Sequence, residues 1–294
     1  MIELTSTRIR IRTIVALTGF LFADCATSTS NAQKIGLCQF DTKRLVFDGS
    51  PKEQSKCLLR RVEAHGSKSS PQTIPNWLLE HVTKPVRISS KKLSAYLDSK
   101  GISATDVGGP IPATPDVQEI KYFVIHDTSY PEIDANVFPA EIDTKSYRAN
   151  NLSIWRDTKN RVNLITNRLG ESKKYKDFAA YRPKPALKIE QTDLYPKARK
   201  IFVHIENVQP RLKPEGSKDF WKAPDPGFTP AQLERIALCY TVASMRAGHW
   251  LIPALHFNID SLATKKDPHD DPQNFDLGDW SKKVQSIAST LEAQ

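Results

Sequence analysis

The stretch Lys121-Tyr-Phe-Val-Ile-His126-Asp-Thr-Ser129 runs an apolar and aromatic segment straight into a histidine followed by small polar residues. A short apolar run of this kind reads as a buried strand, and a histidine at its end is held rigidly by the backbone in front of it. The same arrangement recurs 130 residues later, where Trp250-Leu-Ile-Pro-Ala-Leu leads into His256. A third cluster, His269-Asp-Asp271-Pro-Gln-Asn-Phe-Asp276, follows shortly. A single histidine of this type reads as a core-edge residue satisfied by a backbone carbonyl. Two strand-end imidazoles with a nearby carboxylate or imidazole make instead the donor set of a catalytic zinc that keeps one position open for water.

Outward from this stretch, strand and helix signals alternate. Tyr122 to His126 is predicted as a strand, and Leu152 to Arg156 is expected to pair with Val162 to Thr166 as a hairpin about Asp157 to Asn160. Lys200 to Val208 is a further strand, and its period of two places Phe202, His204 and Glu206 on one face. Thr229-Pro-Ala-Gln232 supplies a capping box with proline at the first helical position, and Leu233, Ile236, Ala237, Tyr240 and Ala243 recur at helical spacing before Gly248. A last helix is expected from Trp280 to Leu291. The alternation predicts an α/β domain over residues 116–294, with a central mixed β-sheet flanked by helices and functional groups gathered at strand ends.

Residues 33–115 read as a small, mainly helical N-terminal accessory region. Its helices are expected at Glu53 to Val62, Trp77 to Val82 and Lys91 to Lys100, the last stopped by Gly101. Gly108-Gly-Pro-Ile-Pro-Ala-Thr-Pro115 then marks a connector. Residues 1–32 have the layout of a secretory signal: Arg8, Arg10 and Arg12, an apolar stretch from Ile14 to Ala23, and small residues at Ser30-Asn-Ala32. Export to the periplasm or the cell exterior is the expectation, with acylation at Cys25 as an alternative. Cys38 and Cys57 are close enough in sequence to close a loop in an oxidising compartment, whereas Cys239 falls in the apolar helix and reads as a buried thiol.

The chain has 294 residues, 39% apolar and 26% charged, which is a globular composition, and no run reaches the roughly 18–20 apolar residues of a bilayer span. Its net charge of +9, of which the signal segment holds three basic and two acidic residues, favours an acidic partner. Nucleic-acid modules are missing and the basic residues are scattered, so anionic wall polymer or a merely solvated surface fits better than nucleic acid. Arg156, Arg161 and Arg168 read as surface charge, and Trp155, Trp221 and Trp250 as core or groove walls.

For the third ligand the residues alone leave Asp267, His269, Asp270 and Asp271 open. The order Phe-Val-Ile-His126-Asp-Thr-Ser, Phe-Val-His-Ile-Glu206-Asn, Thr-Pro-Ala-Gln232, then His256 followed by Asp-Pro and Phe-Asp, resembles the zinc N-acetylmuramoyl-L-alanine amidases of the amidase type 2 family, which share their fold with peptidoglycan-recognition proteins. The resemblance covers roughly residues 118 to 285 and lies in the combination of motifs. It implies a hydrolase acting on peptidoglycan or muropeptides, with zinc held by His126, His256 and an acidic third ligand. Asp271 matches the Asp-Pro to Phe-Asp ending, which puts His269 in the place of the family's transition-state lysine. A competing register through Lys265-Lys-Asp267-Pro restores that lysine, and His269 itself is a further candidate ligand. Glu206 matches the strand glutamate that serves as general base. A binding protein that has lost hydrolysis, or a zinc peptidase acting on the stem peptide, are the rival expectations.

Overall fold

The predicted strand over Tyr122 to His126 forms, as Tyr122–Ile125 (β1), at the heart of a five-stranded sheet. The other strands are Leu164–Thr166 (β2), Ser172–Lys174 (β3), Phe202–Asn207 (β4) and Ile252–Leu255 (β5), in the order β5-β1-β4-β2-β3. The first four in that order are parallel and β3 closes one edge antiparallel, so the sheet is mixed. Parallel strands are covered on both faces, and every residue of β1, β4 and β5 is buried. The computed structural model describes residues 33–63, 68–156, 158–191, 196–213, 221–264 and 269–293. Residues 1–32, expected as a signal segment with Cys25, and Asp267 lie outside the described residues. No helix among the described residues is long and apolar enough to cross a membrane.

One face of the sheet packs on Pro230–Ala247, and Leu277–Ala293 packs in turn on that helix; these are the two long helices near the C-terminus. Phe123, Trp250 and Trp280 all set their rings against Tyr240 of the first of these, at centroid distances of 5.4, 5.7 and 5.1 Å. The Pro230–Ala247 helix starts where its caps dictate. Thr229 Oγ1 accepts the Gln232 amide at 3.1 Å, and Gly248 ends the helix at φ +81°, a left-handed conformation that suits glycine. The reciprocal half of the expected capping box does not form. Gln232 Nε2 donates instead to Val208 O at 3.0 Å and Thr166 Oγ1 at 3.3 Å, tying the helix start to the ends of β2 and β4.

The other face, which carries Tyr122 and Phe202, is covered by the first part of the 33–115 region, whose Phe40 and Phe47 meet Phe202 and Tyr122, whereas its second and third helices pack against Leu277–Ala293. The expected helices occur as Pro51–Leu58 (α1), Asn76–His81 (α2) and Ser90–Ser99 (α3), with Gly101 following at φ +63°. Two small antiparallel sheets accompany them, one of Lys34–Ile35, Phe40–Asp41 and Val46–Phe47, the other of Arg61–Val62 and Ser69–Ser70. Phe47 meets Tyr122 edge-on at 5.1 Å, and the Tyr122 hydroxyl donates to Gln54 at 2.8 Å while accepting the Phe47 amide at 3.1 Å. These residues share one hydrophobic core with the sheet, and Ala32–Gln294 is a single compact unit. The Gly-Pro-rich segment 108–115 therefore joins parts of one core. Its glycines are close-approach positions, since a side chain on Gly108 would enter the Phe178 ring.

The hairpin forms with a different partner from the expected one. Leu164–Thr166 pairs with Ser172–Lys174, not with Leu152 to Arg156. Asn167 Oδ1 accepts the Leu169 and Glu171 amides and Gly170 sits at φ +75°, which builds a tight turn directly after the strand. The 152–156 segment is held in turns instead, its Leu152 and Trp155 carbonyls both accepting from the Tyr175 hydroxyl.

Cys38 and Cys57 are disulfide-bonded, 19 residues apart, and Cys239 is free and buried. A cross-link closing a loop of this length stabilises a fold by about 3 kcal/mol. Replacing both cysteines by serine is expected to lower unfolding free energy by about that amount in a urea titration, and a change below about 0.5 kcal/mol would show that the loop adds nothing.

Candidate metal centre

Sheet register places the candidate residues side by side. Ile125 on β1 is level with Ile205 on β4 and with Leu255 on β5, so the next residue of each strand path brings Glu206, His126 and His256 into one row at the carboxyl edge. Ligands of open α/β sheets bind at this edge. His256 opens a short helix, His256–Asp260 (α4), and Asp271 comes from the loop beyond it. That loop is fixed at two points: the Asp271 carbonyl accepts the Phe257 amide at 2.9 Å, and Asp271 Oδ2 accepts the Asp127 amide at 3.2 Å. Asp127 in turn accepts from Arg211 at 2.9 Å and from the Gln273 amide at 3.1 Å.

His126, His256 and Asp271 are all buried and offer one ligand atom each, all within 4.8 Å of one another. His256 Nδ1 lies 3.0 Å from Asp271 Oδ2 and 2.9 Å from Oδ1, but only Oδ2 is aligned as a hydrogen-bond acceptor. His126 Nδ1 stands 3.8 Å from Asp271 Oδ2. That gap is too wide for a hydrogen bond but is spanned by two ligand bonds of about 2.0–2.2 Å each. Two buried carboxylate oxygens here, Asp271 Oδ1 and Glu206 Oε1, have no hydrogen-bond partner among the described residues. Buried polar atoms are almost always paired, so orphaned carboxylate oxygens beside two imidazoles fit a site for a cation. Two nitrogens and a carboxylate suit zinc among the common metals.

The electrostatics carry the same tension. Burial pushes the Glu206 carboxyl well above its ordinary range, and the nearby Asp271 and Asp127 add to it. Burial also raises Asp127, to about 7, against the opposing charge of Arg211. His126 is held well below the usual imidazole value by burial and then by the neighbouring His256 and His204. For His256 burial acts downward but is outweighed by Asp271 and Asp260, so its imidazole is raised well above normal. Asp271 is correspondingly lowered, the charge of His256 overcoming the effect of burial. Without a metal, Asp271 and Asp260 favour the protonated form of His256.

A cavity of about 420 Å³ opens onto this row and is lined by His126, Glu206, His256, His269 and Asp271, with Arg161 at its wall. His269 is exposed, its ring 5.5 Å from that of His256. Of the three arginines read as surface charge, Arg156 and Arg161 are exposed, but Arg168 is buried, its Nε donating to Asp143 at 2.6 Å. Trp155 lines a separate groove with Tyr130 and Tyr147, donating its indole N–H to Ala149 O at 3.0 Å and meeting Tyr130 edge-on at 5.8 Å.

Three buried residues behind the row carry weight that the motifs did not assign. Asp260 Oδ2 lies 2.9 Å from His256 Nε2, and the four-residue spacing on a helix was the available signal. His204 Nδ1 lies 2.7 Å from His126 Nε2, and its place on the Glu206 face of β4 was visible from period two. Glu190, 3.1 Å from His204 Nε2, has no local pattern to reveal it. No protein-family model matches the chain, and no curated protein or solved structure matches it either, so any functional reading rests on this geometry and on the motifs that build it.

Proposed function

We propose that the protein is an exported zinc-dependent amidase that cleaves the bond between the lactyl group of N-acetylmuramic acid and L-alanine in peptidoglycan or its muropeptide fragments, on an amidase type 2-like sheet. The observation that carries the reading is the row Glu206, His126, His256 with Asp271 facing it, in which Glu206 Oε1 has no hydrogen-bond partner among the described residues and stands beside a compact donor set. His126, His256 and Asp271 would hold a zinc ion, which would supply Lewis acidity toward the scissile carbonyl and toward water. Glu206 takes a proton from that water at Oε1 and delivers it to the departing amine of L-alanine. His269, at the exposed mouth of the cavity, donates a hydrogen bond to the oxygen that gains charge.

Support for the substrate comes from the motif order and from a net charge of +9, which suits an anionic wall. The Cys38–Cys57 bond and the signal-like segment both fit an oxidising compartment outside the cytoplasm. Incubation of the chain lacking residues 1–32 with purified sacculi, with and without a chelator, tests the reading by mass spectrometry of the products. New free L-alanine amines that vanish on chelation are expected. Binding without new ends, or cleavage elsewhere in the stem peptide, would overturn it.

A further inference from the structure

Each histidine of the site uses its Nδ1 toward the cavity, and each has its Nε2 engaged behind. For His256 the arrangement is short: Nε2 meets Asp260 Oδ2 at 2.9 Å, and both oxygens of Asp260 accept the Lys188 backbone amide at 2.9 Å. For His126 it is longer, with His204 interposed between the ligand and the carboxylate of Glu190. Glu190 and the Lys188 amide lie within one short turn, Lys188–Glu190. A three-residue segment thus stands behind both histidines, although these come from strands 130 residues apart in sequence.

The proton positions along the longer arm follow from donor and acceptor chemistry. Glu190 is completely buried and accepts from Arg182, from the Ala186 amide at 2.8 Å and from the Leu187 amide at 3.1 Å. A carboxylate surrounded by donors is ionised, so it can only accept from His204 Nε2. Arg182 already balances the charge of Glu190, which leaves no counter-charge for a second cation in a buried site. His204 is therefore neutral, with its proton on Nε2 and a lone pair on Nδ1. That lone pair must accept the Nε2 proton of His126, which leaves the Nδ1 lone pair of His126 aimed at the cavity. Both nitrogens of His204 are consumed in this chain, and the residue is fully buried, so it neither ligates nor reaches substrate. What remains for it is to set the tautomer and orientation of His126.

We propose that the turn Lys188–Glu190 is a single positioning clamp for both histidine ligands, with Glu190 acting through His204 on His126 and the Lys188 amide acting through Asp260 on His256. The inference rests on the metal-site part of the proposed function and not on the substrate. Lys188 of this turn lines the cavity together with its neighbours Leu187 and Gln191, so the clamp is built into the wall of the site.

The test measures zinc affinity by chelator competition, the visible spectrum of the cobalt-substituted protein, and the melting of the metal-free chain. His204→Leu removes the acceptor and is expected to weaken zinc binding by roughly 10–100-fold and to change the cobalt bands. His204→Asn puts an amide oxygen near the place of Nδ1 but loses the tie to Glu190, so it is expected to weaken zinc binding by less than His204→Leu while not reaching wild-type affinity. Asp260→Ala is expected to weaken zinc binding by a similar factor through the other arm. A His204→Leu protein that melts at lower temperature yet binds zinc as wild type does, with an unchanged cobalt spectrum, overturns the proposal and leaves His204 a packing residue. If His204→Leu does not fold, His204→Asn decides, and wild-type zinc affinity with an unchanged cobalt spectrum in that variant overturns the Glu190 arm of the clamp. A wild-type chain that binds zinc but leaves sacculi uncut overturns the amidase reading while the clamp stands. A chain that cuts sacculi while His204→Leu retains wild-type zinc affinity does the reverse.

Discussion

Replacing Glu206 by glutamine is expected to lower release of L-alanine ends from sacculi by roughly 10²–10⁴-fold, the usual worth of a general acid–base group, and at the same time to stabilise the metal-free protein. The two effects share one cause. Glu206 is buried with Oε1 unpaired, and its carboxyl is raised well above its ordinary value of 4.5 by burial, Asp271 and Asp127. In the unfolded chain the group loses its proton near 4.5, while the folded chain keeps it to higher pH. Its contribution to stability is thus fully present below about 4.5 and is lost as pH rises through the raised folded value. Glutamine has no proton to lose, so the variant should match wild type in melting temperature near pH 4 and exceed it at pH 8 by an amount on the order of a few degrees. Zinc should narrow the difference, because a cation beside Glu206 favours the ionised form. An active E206Q enzyme would remove Glu206 from the chemistry, and equal melting curves at pH 8 would remove the burial argument.

How far the site could be read from the sequence depends on the range of the interactions that build it. His126, His256 and Glu206 follow local rules: an apolar run, a period of two, and a polar residue where the run ends. Parallel register then aligns three such ends. The start and stop of the Pro230–Ala247 helix were legible for the same reason, since Thr229 and Gly248 act within one turn of their own position. Interactions without a local period were not legible. Glu190 reaches His204 only through the tertiary fold, and Leu152 to Arg156 has strand-like composition but loses its pairing partner to the Asn167 turn. Residues 33–115 looked separate because Gly108 to Pro115 interrupts the pattern. Chain breaks of that sort report local backbone conformation, and Phe40, Phe47 and Tyr122 meet in one core across this one.

The largest loss of metal binding is expected from Asp271→Ala. Asp271 is the candidate ligand that joins both histidines, 3.8 Å from His126 Nδ1 and 3.0 Å from His256 Nδ1 through the same Oδ2. Sharing about 10–16 kcal/mol of zinc binding among three protein ligands assigns each about 3–5 kcal/mol, or roughly 10²–10⁴ in affinity. The wild-type protein at a zinc concentration of about 100 Kd gains about 2.7 kcal/mol of stability, and Asp271→Ala at the same concentration should gain almost none. Asp271→Asn separates charge from shape. It keeps an acceptor for the Asp127 amide and removes the charge that raises His256, so it should restore the melting of the metal-free chain without restoring zinc affinity. Binding should also weaken as pH falls in the wild type, because zinc must displace the proton that Asp271 and Asp260 hold on His256. In Asp271→Ala one of those two charges is gone, and the pH dependence of whatever binding remains should shift to lower pH. Zinc affinity within tenfold of wild type in Asp271→Ala would show that the third ligand lies elsewhere in the loop. His269→Ala then becomes the deciding variant, since His269 stands at the same cavity with its ring 5.5 Å from that of His256.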